Sequence, residues 1–160
     1  MIKYSIRENI QQLSYNFWFG LLIAIFIFGI SFLSIFWTPH DITTLNIQDK
    51  LKSPGNGIYL LGTDHFGRDV LSMIMLGAKT SLLVAVTATF IGAVIGVPLG
   101  LLASIKANSY LDDIIMRVND LIFAFPALVI AILITAILGP SITNAIVAIG
   151  IFNIPVFARV

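Results

Sequence analysis

The segment from Leu61 to Asp69 holds the residues whose types and spacing come nearest to a known kind of chemistry. Gly62 and Gly67 have the spacing of the glycines in a phosphate-binding P-loop. Such a loop continues with Lys and then Ser or Thr, which meet the phosphates and magnesium. Here Arg68 and Asp69 follow instead, and the Asp69 carboxylate would repel a phosphate. The segment therefore argues against nucleotide binding by this chain.

Groups for other kinds of catalysis are missing from the sequence. The two histidines, His40 and His65, are too far apart in sequence to suggest a metal pair, and there is no cysteine. No arrangement of carboxylates, or of serine with histidine, suggests hydrolysis. We predict that the chain is not an enzyme and that it binds no metal or cofactor itself.

One cluster of charged side chains lies between two apolar stretches, at Asp112, Asp113, Arg117 and Asp120. Solvated charge at a membrane surface is the ordinary interpretation of such a cluster. Contact with a partner protein is the alternative, and Asp113, Arg117 and Asp120 are the candidates for it. Asp120 would also favour the positive end of a helix beginning at residue 121.

Composition decides what kind of elements position these residues. The chain is 58% hydrophobic and 11% charged, with a mean hydropathy of +1.00. A soluble domain has about 45–50% apolar and about 25% charged residues, so too few polar side chains remain to cover a globule. The net charge of +1, without a block of Lys or Arg, argues against nucleic acid as a partner. We expect the surplus apolar surface to face a lipid bilayer.

Three long charge-free runs define the membrane spans. The first two, residues 17–37 and 80–105, each predict one span. The third run, residues 121–158, is too long for one span, and Gly139-Pro140 divides it where a helix should stop. Each resulting segment is close to the about 20 apolar residues that cross a bilayer. We predict an all-α, polytopic membrane protein with four transmembrane helices, at residues 17–37, 80–105, 121–138 and 141–158.

The distribution of Lys and Arg gives a weak preference for orientation. It places residues 1–16 in the cytoplasm, the loop 38–79 outside and the loop 106–120 in the cytoplasm. A cleavable signal peptide is the competing interpretation of the first span. It fails because the apolar stretch exceeds the roughly 7–15 residues of a signal core and no small-residue cleavage site follows.

Two further patterns refine this layout. Within the outer loop, apolar residues recur at helical spacing and predict an amphipathic helix from about residue 66, capped by Thr63 or Asp64. In the second span small residues recur at every fourth position, so a partner helix can approach closely. This glycine stripe consists of Ala88, Gly92, Gly96, Gly100 and Ser104.

A family resemblance adds function to this architecture. The segments Leu61 to Ser72 (LGTDHFGRDVLS) and Gly77 to Leu82 (GAKTSL) resemble the signature of C-type permeases of dipeptide, oligopeptide and nickel ABC importers. The similarity covers nearly the whole chain. It continues at Asp113, Met116, Arg117, Asp120, and in the segments 125–128, 138–141 and 158–160. The signature residues we take from it are Gly62, Thr63, Asp64, Gly67, Arg68 and Asp69.

The resemblance implies a multi-pass subunit of the bacterial inner membrane that pairs with a second, homologous permease. Two cytoplasmic ATPase subunits would bind ATP and drive transport, and an extracytoplasmic binding protein would deliver substrate. Residues 80–160 would be part of the permease core, and the four spans the first of about six in a type I importer permease. The Glu-Ala-Ala loop that docks onto the ATPases would begin just after Arg159, so the chain looks truncated before it.

Two other interpretations stay open from the sequence. A small channel or secondary carrier could assemble as an oligomer through the glycine stripe, although the spans contain no charged residue for ion coupling. The chain could also be an inactive, truncated remnant of a permease. Among peptides and nickel the sequence favours no substrate.

Overall fold

The computed structural model describes residues 15–55 and 57–160. Most of the predicted cytoplasmic segment 1–16 therefore lies outside the described residues. Within them every long element is a helix, and the one β-type pairing is an isolated bridge between Thr63 and Asp69. This confirms the all-α prediction for the described residues. The elements are α1 (Tyr15–Phe36), a 3₁₀ turn (Ile47–Asp49), α2 (Val70–Ile105), α3 (Tyr110–Ala124), α4 (Ala127–Leu138) and α5 (Ile142–Ala158).

Two helices, α1 and α2, are long and apolar enough to cross a membrane by themselves. The 22 residues of α1 extend about 33 Å and the 36 residues of α2 about 54 Å. A hydrocarbon core is about 30 Å thick, so α2 is long enough to tilt or to project beyond it. The sequence analysis placed an amphipathic helix from about residue 66 before a separate span at 80–105. In the structure one uninterrupted helix covers Val70–Ile105.

The predicted third span, 121–138, is interrupted. Phe125 is extended (φ −100°, ψ 133°) and Pro126 precedes α4, so α3 and α4 meet at a bend of 80°. The cause is local, because proline lacks an amide hydrogen and disfavours the helical conformation of the residue before it. Counting the bent pair as one span gives three candidate spans, and α5 is a shorter apolar helix. The four-span count is thus not confirmed, whereas the helical membrane class is.

Helix α3 starts earlier than expected, which corrects the interpretation of Asp120. Ser109 is its N-cap and accepts a hydrogen bond from the amide of Asp112, and Asp112 and Asp113 occupy the first turn. Their carboxylates there favour the positive helix end. Asp120 lies in the interior of α3, so its predicted position at a helix start is wrong.

The chain divides into two compact units, residues 1–79 and 80–160. In the second unit α5 packs against both α3 and α4. The buried apolar side chains of this unit are mostly those of alanine, at Ala88, Ala103, Ala148 and Ala158, and Pro155 of α5 is buried as well. Large apolar side chains such as Phe90, Ile132 and Ile137 are exposed instead. This is the distribution expected when lipid, not water, surrounds the helices.

Candidate functional site

In the first unit, the signature segment forms a tight turn built around the side chain of Asp64. Its carboxylate accepts hydrogen bonds from the amides of Phe66 (2.8 Å) and Arg68 (2.9 Å). The Arg68 guanidinium adds a hydrogen bond from Nε at 2.9 Å and an ion-pair contact from Nη2 at 2.7 Å. The backbone closes the turn, because the Asp64 amide donates to the Arg68 carbonyl at 3.0 Å. The turn therefore has a fixed shape set by charge-assisted hydrogen bonds.

These contacts also set the protonation state of Asp64. Burial by itself would raise the pKa of Asp64, but hydrogen bonds from the Arg68 amide, the Arg68 guanidinium and the Phe66 amide outweigh it. The pKa of Asp64 falls to about 2. The ionised Asp64 carboxylate thus already accepts hydrogen bonds from the Phe66 and Arg68 amides, which a bound anion would need. The glycine spacing accordingly has a structural explanation that involves no phosphate.

The two signature glycines are required by the backbone. Gly62 and Gly67 both have φ +77°, a conformation that residues with a Cβ rarely adopt. A Cβ on Gly62 would also collide with the carbonyl oxygen of Lys52, and one on Gly67 with that of Asn46. The segment is therefore pressed against the preceding part of the loop, with no room for a side chain at either position.

Thr63 connects the signature to that preceding part. Its hydroxyl accepts a hydrogen bond from the Lys52 amide at 2.8 Å and donates to the Asp49 carbonyl, while its amide donates to the Lys52 carbonyl at 3.1 Å. The Asp49 carboxylate pairs with the Lys52 ammonium and accepts from the Tyr59 hydroxyl at 2.7 Å. Lys52 and Tyr59 thereby lower the pKa of Asp49, and the same hydrogen bond to Asp49 raises the pKa of Tyr59.

Asp69 is a buried carboxylate at the start of α2, only 2% exposed. It accepts hydrogen bonds from the Ser72 hydroxyl (2.6 Å) and from the amides of Ser72 (3.1 Å) and Leu71 (3.3 Å). It therefore caps α2, a position that the sequence analysis assigned wrongly to Thr63 or Asp64. Burial would raise the pKa of Asp69, but the hydrogen bonds from Ser72 and His40 lower it further than burial raises it.

Sequence analysis missed His40 and Ser72 as members of this cluster. His40 Nδ1 lies 3.3 Å from the Asp69 carboxylate, and the His40 amide donates to the Ser72 hydroxyl at 3.0 Å. The arrangement is not that of a hydrolase, because the Ser72 hydroxyl donates to Asp69 and not to an imidazole. The sequence offered one possible signal for Ser72: it lies three residues after Asp69, at the position whose amide a helix cap binds. No sequence pattern pointed to His40.

In the second unit, the glycine stripe faces α5 over most of its length. A Cβ on Gly92 would collide with Asn153, one on Gly96 with Ile154 and Phe157, and one on Gly100 with Ala158. Ala88 is fully buried. The approach is reciprocal, because a Cβ on Gly150 of α5 would lie 3.0 Å from the side chain of Ile91. The two backbones are therefore as close as glycine permits.

Ser104, the last residue of the stripe, is exposed. It lines a cavity of about 840 Å³ between the end of α2, the first turns of α3 and the end of α5. Asp112, Met116 and Arg159 are among the other lining residues.

The structure separates the three predicted surface candidates. Asp120 pairs with Arg159, 39 residues away, and the Arg159 guanidinium lies 5.1 Å from the ring centre of Phe123. Phe123 in turn meets Phe152 edge-on at 5.5 Å. Asp113 and Arg117 are exposed and form no ion pair within the described part of the chain. One of the three candidates therefore fastens α3 to the end of α5, and the structure does not bring the other two into that contact.

These features, apolar helices packed through glycines and joined by a polar loop, are those of a helical membrane protein. Residues 96–160 match the family described as binding-protein-dependent transport system inner membrane component. A glutathione transport system permease protein from Pectobacterium atrosepticum is 38% identical over 88% of this chain and 46% of its own length. A dipeptide transport system permease protein from Alkalihalophilus pseudofirmus is 37% identical over 96% of this chain and 50% of its own.

A di/tripeptide transport system permease protein from Pseudomonas aeruginosa is 36% identical over 88% of this chain and 48% of its own length. The chain thus spans about half the length of the curated relatives it matches. These matches support an ABC importer permease of the dipeptide and oligopeptide family. The resemblance inferred from the signature segment is therefore confirmed.

Proposed function

We propose that the chain forms part of the translocation path of an ABC importer, driven by ATP hydrolysis on separate subunits. The observation that carries the proposal is the identity of 36–38% to transport permeases, extending over 88–96% of this chain. The family is one of transport permeases and not of enzymes. The absence of charged residues from the apolar runs agrees with a path that does not couple to ions through this chain.

Short peptides are the substrate class that we propose. The three relatives are named for glutathione, dipeptides and di/tripeptides. Nickel, which the sequence left open, has no support from those names. The described residues also contain no group of three or more His, Asp or Glu that could hold a metal ion.

The proposed assembly contains a second, homologous permease, two cytoplasmic ATPase subunits and an extracytoplasmic binding protein, in the inner membrane of a bacterium. ATP would bind to the ATPase subunits. The Asp64 side chain supports this division, because it already accepts hydrogen bonds from two amides of this segment, those of Phe66 and Arg68.

We also propose the four-span layout, with residues 1–16 and 106–120 in the cytoplasm and 38–79 outside. Helix α4 alone, with 12 residues, extends about 18 Å. The extended residues Phe125 and Pro126 before it, and Gly139 to Ser141 after it, each add up to about 3.3 Å. Together they reach the roughly 30 Å of a hydrocarbon core, so α4 and α5 can serve as the third and fourth spans.

Uptake by the assembled importer tests the proposal. The polypeptide containing this chain would be produced with its partner permease, ATPases and binding protein in cells lacking their own peptide importers. We expect accumulation of a radiolabelled dipeptide that stops when the ATPase is inactivated. Accumulation of ⁶³Ni²⁺ without dipeptide uptake would overturn the substrate class. Flux that continues after the ATPase is inactivated would overturn the importer itself.

A further inference from the structure

Helix α3 has three distinct faces, and one of them is apolar and exposed. Side chains at spacings of three and four residues share one side of a helix. On the first side lie Leu111, Ile114, Val118 and Leu121, all exposed, with Ile114 at 61% and Val118 at 50%. Tyr110 is exposed at the start of the same side, and Phe125 just beyond its end. We call these four aliphatic residues the α3 apolar strip.

Of the other two faces of α3, one is buried and one is polar and exposed. Ile115, Met116, Asn119 and Ile122 are partly or fully buried, on the helix side that packs on α5. Asp113, Arg117 and Asp120 form an exposed polar strip. The α3 apolar strip lies between these two faces, with Val118 one turn before Ile122 of the buried face and Leu121 one turn after Arg117 of the polar strip. Within the second unit nothing covers it.

The bend at Phe125 and Pro126 gives the direction of α3 relative to a bilayer. Helix α4 contains no charged or strongly polar side chain other than Thr135, whose hydroxyl bonds to the backbone of its own helix. It must therefore be the inserted partner of the bent pair, because α3 carries four charged residues. At 80° to an inserted α4, the axis of α3 lies close to the plane of the membrane.

The start of α3 is consistent with this placement. Helix α2 ends at Ile105, and α3 begins at Tyr110 after a turn that contains Lys106 and Asn108. Asn108 has φ +62°, a left-handed conformation that turns the chain between the two helices. Helix α3 therefore starts at the membrane surface where α2 leaves the apolar core, and it ends where α4 enters.

We propose that α3 is an interfacial helix lying in the plane of the membrane, with its apolar strip inserted between lipid headgroups. The polar strip then faces water, as in other amphipathic helices that lie on bilayers. Two carboxylates and one guanidinium make up that strip, so it has no cationic excess to attract anionic lipid. The partner is accordingly the zwitterionic headgroup and upper acyl region. Tyr110 occupies the interfacial depth that aromatic residues prefer.

Spin-label depth measurements test this placement, and the natural absence of cysteine permits single-cysteine labelling. Leu111→Cys and Leu121→Cys would be labelled in the apolar strip, with Asp113→Cys and Arg117→Cys as matched controls on the polar strip. The protein would be reconstituted in phosphatidylcholine liposomes. Depth comes from the ratio of accessibility to oxygen and to a water-soluble nickel chelate.

We expect both strip labels at the same depth, about 5–10 Å below the headgroups, and both control labels in water. If α3 instead ran along the membrane normal, the labels at 111 and 121 would differ in depth by about 15 Å. That gradient would overturn the proposal. So would strip labels accessible to the nickel chelate, or strip labels shielded from both reagents by another protein. Adding phosphatidylglycerol should leave the depth unchanged, and deeper insertion would contradict the zwitterionic assignment.

This inference rests on the membrane assignment and on the bend between α3 and α4, and not on transport activity. A failed uptake experiment would leave the depth pattern untouched. A failed depth experiment would leave the importer proposal standing.

Discussion

The signature loop of the first unit and the α2–α5 pair of the second use glycine for different reasons. Gly62 and Gly67 adopt φ +77° and lie against backbone carbonyl groups. Gly92 and Gly96 are helical, and only the closeness of α5 excludes a side chain there. Conformation and space both constrain the loop glycines, whereas space alone constrains the helix glycines.

The two regions also differ in how they are held together. Charge-assisted hydrogen bonds to Asp49, Asp64 and Asp69 organise the loop, so its stability depends on protonation. The α2–α5 contact is made of close backbone packing, and it should respond to side-chain volume but not to pH. Changes of volume and of charge should therefore separate the two regions.

The largest effect is expected for Gly96→Leu, because the new side chain would overlap the Ile154 carbonyl and the Phe157 side chain. We expect a destabilisation of about 3 kcal/mol, measured as a lower thermal unfolding midpoint of the detergent-solubilised protein. Gly77→Leu is the matched control on the same helix, since nothing lies within 4 Å of a Cβ at Gly77. Equal thermal unfolding midpoints for the two variants would contradict a close contact of α5 at Gly96.

The next effect is expected for Gly67→Ala, at about 2 kcal/mol. Such a change would speed amide hydrogen exchange at Leu51 and Thr63 by about 30-fold. Gly55→Ala is the control, because Gly55 has nearly the same φ (+76°) but nothing within 4 Å of a Cβ. The difference between the variants isolates the collision with Asn46. If amide exchange is equally fast in the two variants, the positive φ alone explains why position 67 requires glycine.

The third prediction concerns acid. The pKa of Asp64 is about 2 in the folded loop, below its ordinary value of 3.8. A depressed pKa contributes stability above the unfolded value, and this is lost as the pH falls through the folded value. Exchange protection of the Phe66 and Arg68 amides should thus be constant from pH 8 to about 5 and fall between about pH 4 and 2. Asp64→Asn should lack this step, and a step retained in that variant would assign it to another group.

The smallest effect is expected for Arg159→Ala. Both partners of the Asp120–Arg159 pair are substantially exposed, so its contribution should stay below about 1 kcal/mol and shrink in high salt. Arg117→Ala, whose guanidinium has no ion pair among the described residues, is the control. Unfolding midpoints at low and high ionic strength would check this. A large loss that salt does not reduce would point to the Phe123 contact instead.

Sequence reasoning succeeded where neighbouring residues decide the outcome. Long charge-free runs predict membrane helices because a charged side chain inside the bilayer is costly, so membrane spans contain few of them. The signature segment was sufficient to predict the family, since its residues lie within one short stretch. The start of α2 was misplaced because several residues before Val70 are compatible with a helix cap. Only the contacts of Asp69 show which one acts.

By itself, the amino-acid sequence determined the helical membrane class and the resemblance to the permease family. Each of these follows from composition or from short local patterns. The tertiary structure decided which distant residues meet, such as His40 with Asp69 and Asp120 with Arg159, separated by 29 and 39 positions. It also decided the size of the bend at Pro126. Proline predicts that a helix is interrupted, whereas the 80° angle is known only from the structure, in which α5 packs on both α3 and α4.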